Sequence, residues 1–319
     1  MNDMPLSCDR IEPELLSAAM GDADEATAAR VDAHVRECRS CRESLDLYRA
    51  IGRNAETWRE IPARDEGPAR ERLVSRLADL RRRTLVYRIF RDSPLGPILI
   101  ARSEEGVTCI EYLTGGADFR HSSLSRVEGV EALPDGAEVE TLYHELLEYL
   151  GGRRTRLEWT LDLRLARSAF HRAVLEATAE IPYGAVRSYA GLAEAIGKPS
   201  ATRAVAQALR TNPLAIVVPC HRVVGTSGAL TGYAGRRVTL KQRILAVEGV
   251  AAVGKGSALR IPRERMYVLA PEQSYCLPSC AWIATAPARS LVLFGSRERA
   301  ENAGLAPCDD CRPDLHPLP

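Results

Sequence analysis

The sequence predicts a multidomain α/β protein with a small helical module, a central α/β region followed by a helical region, and a small cysteine-rich module. Three observations support this prediction. The chain of 319 residues is long enough for two or three domains, and most of its nine cysteines lie near its two ends. Apolar alternation marks residues 87–112, whereas helical spacing marks residues 188–209. We therefore divide the chain into residues 1–60, 61–84 (a linker and an amphipathic helix), 85–165, 166–250, 251–264 (a second linker) and 265–319.

A set of metal-ligand side chains lies in the first range, where Cys8 precedes His34, Cys38 and Cys41. One imidazole and three sulfurs suit a closed tetrahedral Zn²⁺ site, and scattered free thiols are the alternative. The segment resembles the zinc-bearing anti-sigma domain, which implies zinc and, as one partner, a sigma factor. Redox sensing and scaffolding are other roles of this motif. The first 64 residues carry a net charge of −4, so we do not expect them to bind DNA.

The next range combines a linker with a helix. Residues Ile61 to Gly67 read as the linker, and Pro68 to Arg83 predict an amphipathic helix. Its apolar face carries Leu73, Leu77 and Leu80, for which we expect packing against the protein rather than contact with DNA.

An α/β pattern follows. The stretch from Tyr87 to Tyr112 alternates apolar residues between turn signals and predicts a hairpin-like pair of strands. Leu142 to Leu150 predicts a short helix, and Arg156 to Leu163 another strand. We expect Cys109, in the second strand of the pair, to be structural.

The expected chemistry centres on Cys220. The motif Pro219-Cys220-His221-Arg222 follows the apolar run from Leu214 to Val218. The thiolate is the nucleophilic form of cysteine, and a neighbouring imidazole and guanidinium ease the loss of the thiol proton. Taken alone, the pair also fits a small core cysteine beside a histidine that caps a loop.

Positive charge is concentrated around this motif. Between Pro182 and Arg243 nine basic residues face one acid, Glu194, a net charge of +8 in a chain of net charge +1. Such a field suits a polyanionic partner, with a solvated surface as the alternative. The patterns from Ser188 to Ile196 and from Ala201 to Leu209 predict a helix-turn-helix with Ser200 as the second N-cap. The nine basic residues are Arg187, Lys198, Arg203, Arg210, Arg222, Arg236, Arg237, Lys241 and Arg243.

From Phe170 to Val224, and on through Gly232-Tyr233-Ala234-Gly235 to Glu248-Gly249, the sequence closely resembles the DNA repair alkyltransferases. That family has an α/β N-terminal half and moves an alkyl group from O6 of guanine onto its own cysteine. The resemblance implies irreversible, stoichiometric transfer of an alkyl group such as methyl to Cys220, with O4 of thymine as a further substrate. It implies double-stranded DNA as the partner and no organic cofactor.

The resemblance also implies roles for individual residues. His221, oriented by Glu248, takes the proton of Cys220 through a water molecule, while Asn212 supports the active-site turn. At the DNA, Arg203 fills the space of the flipped base, Tyr189 rotates the nucleotide and Tyr233 binds the extruded guanine. We place Arg210 and Arg222 at the DNA as well. The chain departs from the family where Arg236-Arg237 replaces a second glycine after Gly235.

The last range holds a second metal-ligand pattern, Cys276-x3-Cys280 with a distant Cys308-x2-Cys311. Four sulfurs at this spacing are typical of a zinc site. The segment resembles the metal-binding domain of the bacterial adaptive-response protein Ada, in which one zinc-bound cysteine accepts a methyl group from DNA phosphotriesters. By position that acceptor is Cys276, although the upstream part of the Ada domain is shortened here.

Composition narrows the classes of function. All three cysteine sites need reduced thiols, and we find no signal peptide and no apolar run of about 18 residues, so we expect a cytoplasmic protein without a membrane partner. Three hypotheses remain open. They are suicide repair of alkylated DNA, an alkylation-responsive sensor or regulator acting through the N-terminal module, and a metal-stabilised binding protein with an inert cysteine.

Overall fold

The structure is a computed structural model that describes residues 8–59, 67–113, 116–134, 137–233, 237–287 and 289–318. Most of the predicted first linker, and Arg236 with Gly235 before it, lie outside the described residues. The chain forms two compact units, Met1–Ser75 and Arg76–Pro319. No helix in the described ranges is long and apolar enough to cross a membrane.

Three helices build most of the first unit: α1 (Cys8–Met20), α2 (Glu25–Glu37) and α3 (Arg39–Arg59). Asp24 caps α2 by accepting a hydrogen bond from the Thr27 amide at 2.8 Å. The small core contains Ile11, Leu15 and Leu45, and it extends to Cys41 of the predicted metal set. Helix packing therefore holds one of the predicted ligands directly.

The helix predicted after the linker is present as α4 (Gly67–Arg83). Its apolar face is not packed as we expected, because Leu73, Leu77 and Leu80 are 57%, 47% and 52% exposed. The helix spans the boundary between the two units, and among the described residues no element buries this face.

A four-stranded sheet begins the second unit, in the order β3-β2-β1-β4. Its strands are β1 (Thr84–Phe90), β2 (Ile98–Arg102), β3 (Val107–Tyr112) and β4 (Glu131–Pro134), and α5 (Ala137–Leu150) packs on it. The predicted pair of strands is in fact three antiparallel strands, since both predicted turns are used. The strand predicted from Arg156 to Leu163 is wrong. Only a bridge between Leu161 and Val107 forms there.

The helical half follows with α6 (Ala169–Ala179), β5 (Ala185–Ser188), α7 (Tyr189–Ala195), α8 (Thr202–Arg210), β6 (Val223–Val224) and α9 (Val238–Val247). Helices α7 and α8 match the two predicted helical patterns. Ser188 caps α7 by accepting a hydrogen bond from the Gly191 amide at 2.9 Å. The predicted Ser200 cap is wrong, because Ala201 is the N-cap of α8 and makes no side-chain bond.

The C-terminal elements join this half in one sheet. They are β7 (Tyr267–Ala270), β8 (Ser274–Cys276), α10 (Ala281–Thr285), β9 (Val292–Phe294), α11 (Arg297–Asn302) and β10 (Ala306–Pro307). The sheet order is β10-β8-β7-β9-β5-β6, so β9 pairs with the strand that leads into α7. Residues 251–264 differ from the predicted linker. Leu259 and Ile261 are buried and Val253 bridges to Arg260, because the segment carries apolar residues that the core takes up.

Candidate active site

Cys220 begins a short 3₁₀ turn just before β6. Asn212 holds this turn from the end of α8: its Nδ2 donates to the Val218 carbonyl at 2.9 Å and to Cys220 Sγ at 3.2 Å. Its Oδ1 accepts from the Leu214 amide at 2.9 Å. One amide side chain thus closes the turn and touches the sulfur.

The loop that leads from α8 into this turn contains a strained residue. Ile216 has φ of 74°, a left-handed conformation that is an outlier for a β-branched side chain. The edge of β3 supports the turn, because Ile110 donates to the Pro213 carbonyl at 2.7 Å and accepts from the Ala215 amide at 3.1 Å. Such outliers persist only where the surroundings over-determine them, and they cluster at functional sites.

His221 belongs to a buried network centred on Glu248. His221 Nε2 lies 2.6 Å from Glu248 Oε1, and both side chains are fully buried. The Tyr149 hydroxyl also donates to Glu248 Oε1, and the Gly184 amide donates to Oε2 at 3.3 Å. Burial alone raises the pKa of Glu248, but the charge of Arg222 and the hydrogen bonds from His221 and Arg222 lower it to about 2. Glu248 is therefore a carboxylate.

This pairing sets the tautomer of His221. Since a carboxylate only accepts, Nε2 carries the hydrogen and Nδ1 keeps the lone pair. Nδ1 is buried and has no hydrogen-bond partner among the described residues. Burial lowers the pKa of His221 despite the neighbouring carboxylate, so the ring is neutral near pH 7.

Arg222 does not take the place we predicted for it. Its guanidinium donates to Glu248 Oε2 at 2.8 Å and to the Tyr149 hydroxyl at 3.0 Å, and the residue is 7% exposed. It lines a separate cavity of about 810 Å³ that Cys220 does not line. The predicted contact with DNA is thus contradicted, because the buried Glu248 carboxylate binds the guanidinium in the interior.

Lys241 supplies the positive charge near the sulfur. It is fully buried on α9, its Nζ donates to the Val223 carbonyl, and it lies 5.7 Å from the centre of the Tyr189 ring. Burial lowers the pKa of Lys241 to about 8, although the neighbouring Cys220 acts to raise it. Burial raises the pKa of the Cys220 thiol, and Asn212 and Lys241 oppose that rise. The sequence marked Lys241 only as one member of the basic field.

Cys220 opens onto a cavity of about 430 Å³ with α8 as one wall. Of the residues we predicted to contact DNA or the base, four line it together with Cys220. Among the residues that line the cavity are Tyr189, Arg203, Ala206, Arg210, Cys220, Thr231, Gly232 and Tyr233.

The basic field is partly internal. Arg222 and Lys241 are buried and serve the site itself, whereas Lys198, Arg203 and Arg210 are exposed on or beside α8. Of the exposed basic residues, Arg203 and Arg210 line the cavity, so the predicted net charge of +8 overstates the positive charge there. Tyr149, Tyr112 and Gly184 were not predicted as parts of the site, because no local pattern in the sequence marks them.

Both predicted ligand sets come together. In each cluster the four ligand atoms lie within 4.8 Å of one another, and each could hold a metal ion. In the N-terminal cluster Cys8 Sγ lies 3.8 Å from Cys38 Sγ and 3.9 Å from His34 Nε2. A tetrahedron with metal–sulfur bonds of about 2.3 Å has edges of about 3.8 Å, so the geometry fits the ion. The C-terminal cluster consists of Cys276, Cys280, Cys308 and Cys311. Cys109 belongs to neither cluster and is buried in the sheet.

Fold and site together define a protein whose cysteine begins a tight turn, is adjacent in sequence to a neutral histidine and lines a cavity flanked by basic residues. Two family models match the chain. The DNA binding domain of 6-O-methylguanine DNA methyltransferase matches residues 169–250, and the ribonuclease-like domain of the same enzyme matches residues 85–163.

Individual relatives agree. The methylated-DNA–protein-cysteine methyltransferase of Methanosarcina acetivorans is 38% identical over 167 residues, which cover 52% of this chain and 99% of that protein. The constitutive enzyme of the same name from Bacillus subtilis is 38% identical, covering 52% of this chain and 96% of its own. A solved structure of Mycobacterium tuberculosis OGT in complex with DNA is 36% identical, with coverage of 51% and 92% and a TM-score of 0.44. The chain belongs to the 6-O-methylguanine DNA methyltransferase family.

Proposed function

We propose that the sulfur atom of Cys220 accepts the alkyl group in this protein. Membership of the family carries the reaction itself, which is DNA repair by transfer of an alkyl group from methylated DNA to a cysteine of the protein. The observation that carries the assignment is that Cys220 alone among the described cysteines lines a cavity walled by α8 and its arginines.

The residues around Cys220 provide a base that removes the proton of its thiol group. The neutral His221 has its basic Nδ1 unpaired, and Glu248 stabilises the imidazolium that forms when Nδ1 takes the thiol proton. The sulfur lone pair then attacks the alkyl carbon. The new C–S bond replaces the C–O6 bond, whose electrons leave with the guanine. The guanine anion then takes up, on a ring nitrogen, a proton that replaces the one His221 removed from the thiol, so O6 becomes a carbonyl oxygen. The resulting thioether is not hydrolysed under ordinary conditions, so each molecule acts once.

Contact with double-stranded DNA is proposed for α7 and α8 acting as a helix-turn-helix. Arg203 and Arg210 are exposed on α8, and Ala204 is an exposed small residue that permits close approach to a groove. Extruding a base costs a few kcal/mol, and we propose that Arg203 fills the gap, Tyr189 rotates the nucleotide and Tyr233 binds the extruded base. Repair of O4-alkylated thymine stays a prediction.

Cysteine replacement tests this function. In a duplex with one labelled O6-methylguanine, we expect the label on the peptide that contains Cys220 and no label on the Cys220→Ser variant. The matched control is Cys109→Ala, which removes a buried cysteine elsewhere and should keep the transfer. Undiminished transfer by Cys220→Ser would overturn the assignment. A second duplex, with a labelled methyl phosphotriester in place of the modified base, tests the Ada-like role, which label on Cys276 would support.

We further propose Zn²⁺ at both clusters. The four-sulfur set and the set of three sulfurs and one imidazole are the donor sets of closed structural zinc sites. A zinc ion at either place would hold chain segments together and take no part in the transfer. Native mass spectrometry of the protein counts the bound ions, and an apoprotein mass after purification without chelators would contradict the proposal.

The regulatory alternative stays a prediction, as do a sigma factor partner for the N-terminal module and a cytoplasmic location. Binding of a sigma factor that changes when Cys220 is alkylated would support regulation, and a pull-down with alkylated and unreacted protein distinguishes the two states.

A further inference from the structure

Tyr112, at the end of β3, forms a hydrogen bond with a residue of the cavity wall. Its hydroxyl lies 2.9 Å from the hydroxyl of Tyr233, 121 positions later in the chain, and both residues are 6% exposed. Tyr233 lines the cavity with Cys220, whereas Tyr112 does not belong to the described lining and lies behind it. Tyr112 is thus linked by a hydrogen bond to the cavity wall at Tyr233.

Ring contacts with Tyr112 and His221 also fix the position of Tyr233. Tyr233 packs edge-to-face with Tyr112 at 5.9 Å between ring centres, and with His221 at 6.4 Å. It is therefore held between β3 and the histidine of the site. The next element is tied to the same strand end, because Arg237 Nη2 donates to the Leu113 carbonyl at 3.3 Å.

Counting hydrogens gives the direction of the bond between the hydroxyls. Burial raises the pKa of both tyrosines, so each keeps one hydrogen, but only one of these lies between the two oxygens. Among the described residues Tyr112 has no other hydrogen-bond partner for its hydroxyl. A buried hydroxyl hydrogen without an acceptor destabilises the fold, because it loses its bond to water and gains none. The lower-energy arrangement therefore has Tyr112 donating to Tyr233, which leaves the Tyr233 hydrogen free to point into the cavity.

We propose that Tyr112 is a positioning residue, which holds Tyr233 so that its hydroxyl donates to a hydrogen-bond acceptor on the extruded alkylguanine and so favours that base over unmodified DNA. The inference rests on the proposed function of Cys220. It extends that function to a residue of the α/β half, which supplies no group to the lining of the cavity beside Cys220.

A double-mutant cycle tests the proposal. The rate of a single turnover on a duplex with O6-methylguanine is measured for the wild type, Tyr112→Phe, Tyr233→Phe and the double variant. We expect Tyr112→Phe to slow transfer about fivefold, the fold-change of one lost hydrogen bond. In the Tyr233→Phe background the same change should cost less than about twofold, because the pair acts as a unit.

The matched control is Tyr143→Phe. Tyr143 is a buried tyrosine of the same half, on α5, where its ring stacks on Phe90 at 3.8 Å. It should leave the rate unchanged. Equal effects of Tyr112→Phe and Tyr143→Phe, or an undiminished effect of Tyr112→Phe in the Tyr233→Phe background, would overturn the proposal.

Binding separates this inference from the function on which it rests. In Cys220→Ser protein, which cannot react, the affinity for the O6-methylguanine duplex relative to the unmodified duplex should fall about fivefold with Tyr112→Phe and stay constant with Tyr143→Phe. A constant ratio for both variants contradicts the role of Tyr112. Absence of methyl transfer by the wild type contradicts instead the function of Cys220, and the binding ratio still decides the role of Tyr112.

Discussion

Lys241 and Glu248 are both fully buried and carry opposite charges, but their hydrogen-bond partners differ. Glu248 has hydrogen bonds from His221, Arg222, Tyr149 and the Gly184 amide, so its charge is stabilised. Among the described residues, the Lys241 amino group donates only to neutral carbonyl groups, those of Val223 and Thr231. Burial therefore dominates at Lys241, whose pKa falls to about 8, whereas that of Glu248 falls to about 2. Burying the charged Lys241 amine lowers the stability of the fold. Its positive charge in turn favours the thiolate form of Cys220.

Lys241→Met should change how stability depends on pH. The folded pKa of Lys241, about 8, lies below its ordinary value of 10.5, so between these values the unfolded chain binds more protons than the folded one. The free energy of unfolding should therefore rise by about 2 kcal/mol from pH 7 to pH 10 in the wild type relative to Lys241→Met.

Urea titrations at both pH values measure this difference. The control is Lys198→Met, at an exposed position, which should follow the wild type. The same pH dependence in Lys241→Met and wild type would show that the buried amine is not the cause. Methyl transfer by Lys241→Met should also be slower, since the cation that lowers the thiol pKa is gone.

At the scale of elements, α7 and β5 are tied to the C-terminal segment. The Ser188 hydroxyl, which caps α7, also donates to the Arg289 carbonyl at 2.6 Å, and Ser290 donates to Glu194 of α7. Strand β9 pairs with β5 through Ala185 and Phe294 and the two pairs that follow. The helix proposed to meet DNA is therefore positioned partly by residues outside the two family matches.

Gly191→Ala should loosen this docking. A Cβ at Gly191 would lie 2.3 Å from the Arg289 carbonyl oxygen, a backbone atom that can move only with its segment. We expect a loss of about 1–3 kcal/mol and faster hydrogen exchange of the β5 amides.

Gly52→Ala is the matched helical control. Its Cβ would meet only Met20 Sδ at 3.9 Å, an ordinary contact, so alanine should be neutral or stabilising in α3. If Gly191→Ala leaves the hydrogen exchange rates of β5 unchanged, the C-terminal segment does not hold β5 and α7 in place.

At the scale of the whole molecule, the two metal-ligand clusters belong to different compact units. The C-terminal cluster anchors β8 and β10, whose sheet continues through β7 and β9 to β5 and β6. The Gly295 amide also donates to the carbonyl of Gly184, the residue whose own amide reaches Glu248. A metal ion in this cluster would thus stabilise the framework of the active site, while an ion in the N-terminal cluster would stabilise its own unit.

Cys308→Ser should therefore lower the melting temperature of the second unit and slow methyl transfer, because a ligand of the proposed zinc is lost. The matched variant Cys38→Ser removes a ligand from the other cluster and should leave both quantities unchanged. Calorimetry with and without a chelator measures the melting temperature of the second unit. A chelator that leaves the wild-type transition of the second unit in place would show that no metal supports it.

The helices of the site and both ligand sets could be predicted because their signals are local. Apolar spacing placed α7 and α8 to within a residue or two, and Cys-x2-Cys pairs keep their sulfurs close whatever the rest of the chain does. The third strand and the packing of residues 251–264 were not anticipated, since strand pairing and burial depend on partners distant in the chain.

The sequence by itself determined the family and marked the proposed acceptor cysteine with its adjacent histidine, because these are properties of short contiguous motifs. Only the tertiary structure decided that Arg222 turns inward to Glu248, that Lys241 is the cation near the sulfur and that Tyr112 holds Tyr233. The physical reason is the same in each case. Which polar group a buried side chain meets depends on packing between segments up to 121 positions apart, and residue type alone does not specify that partner.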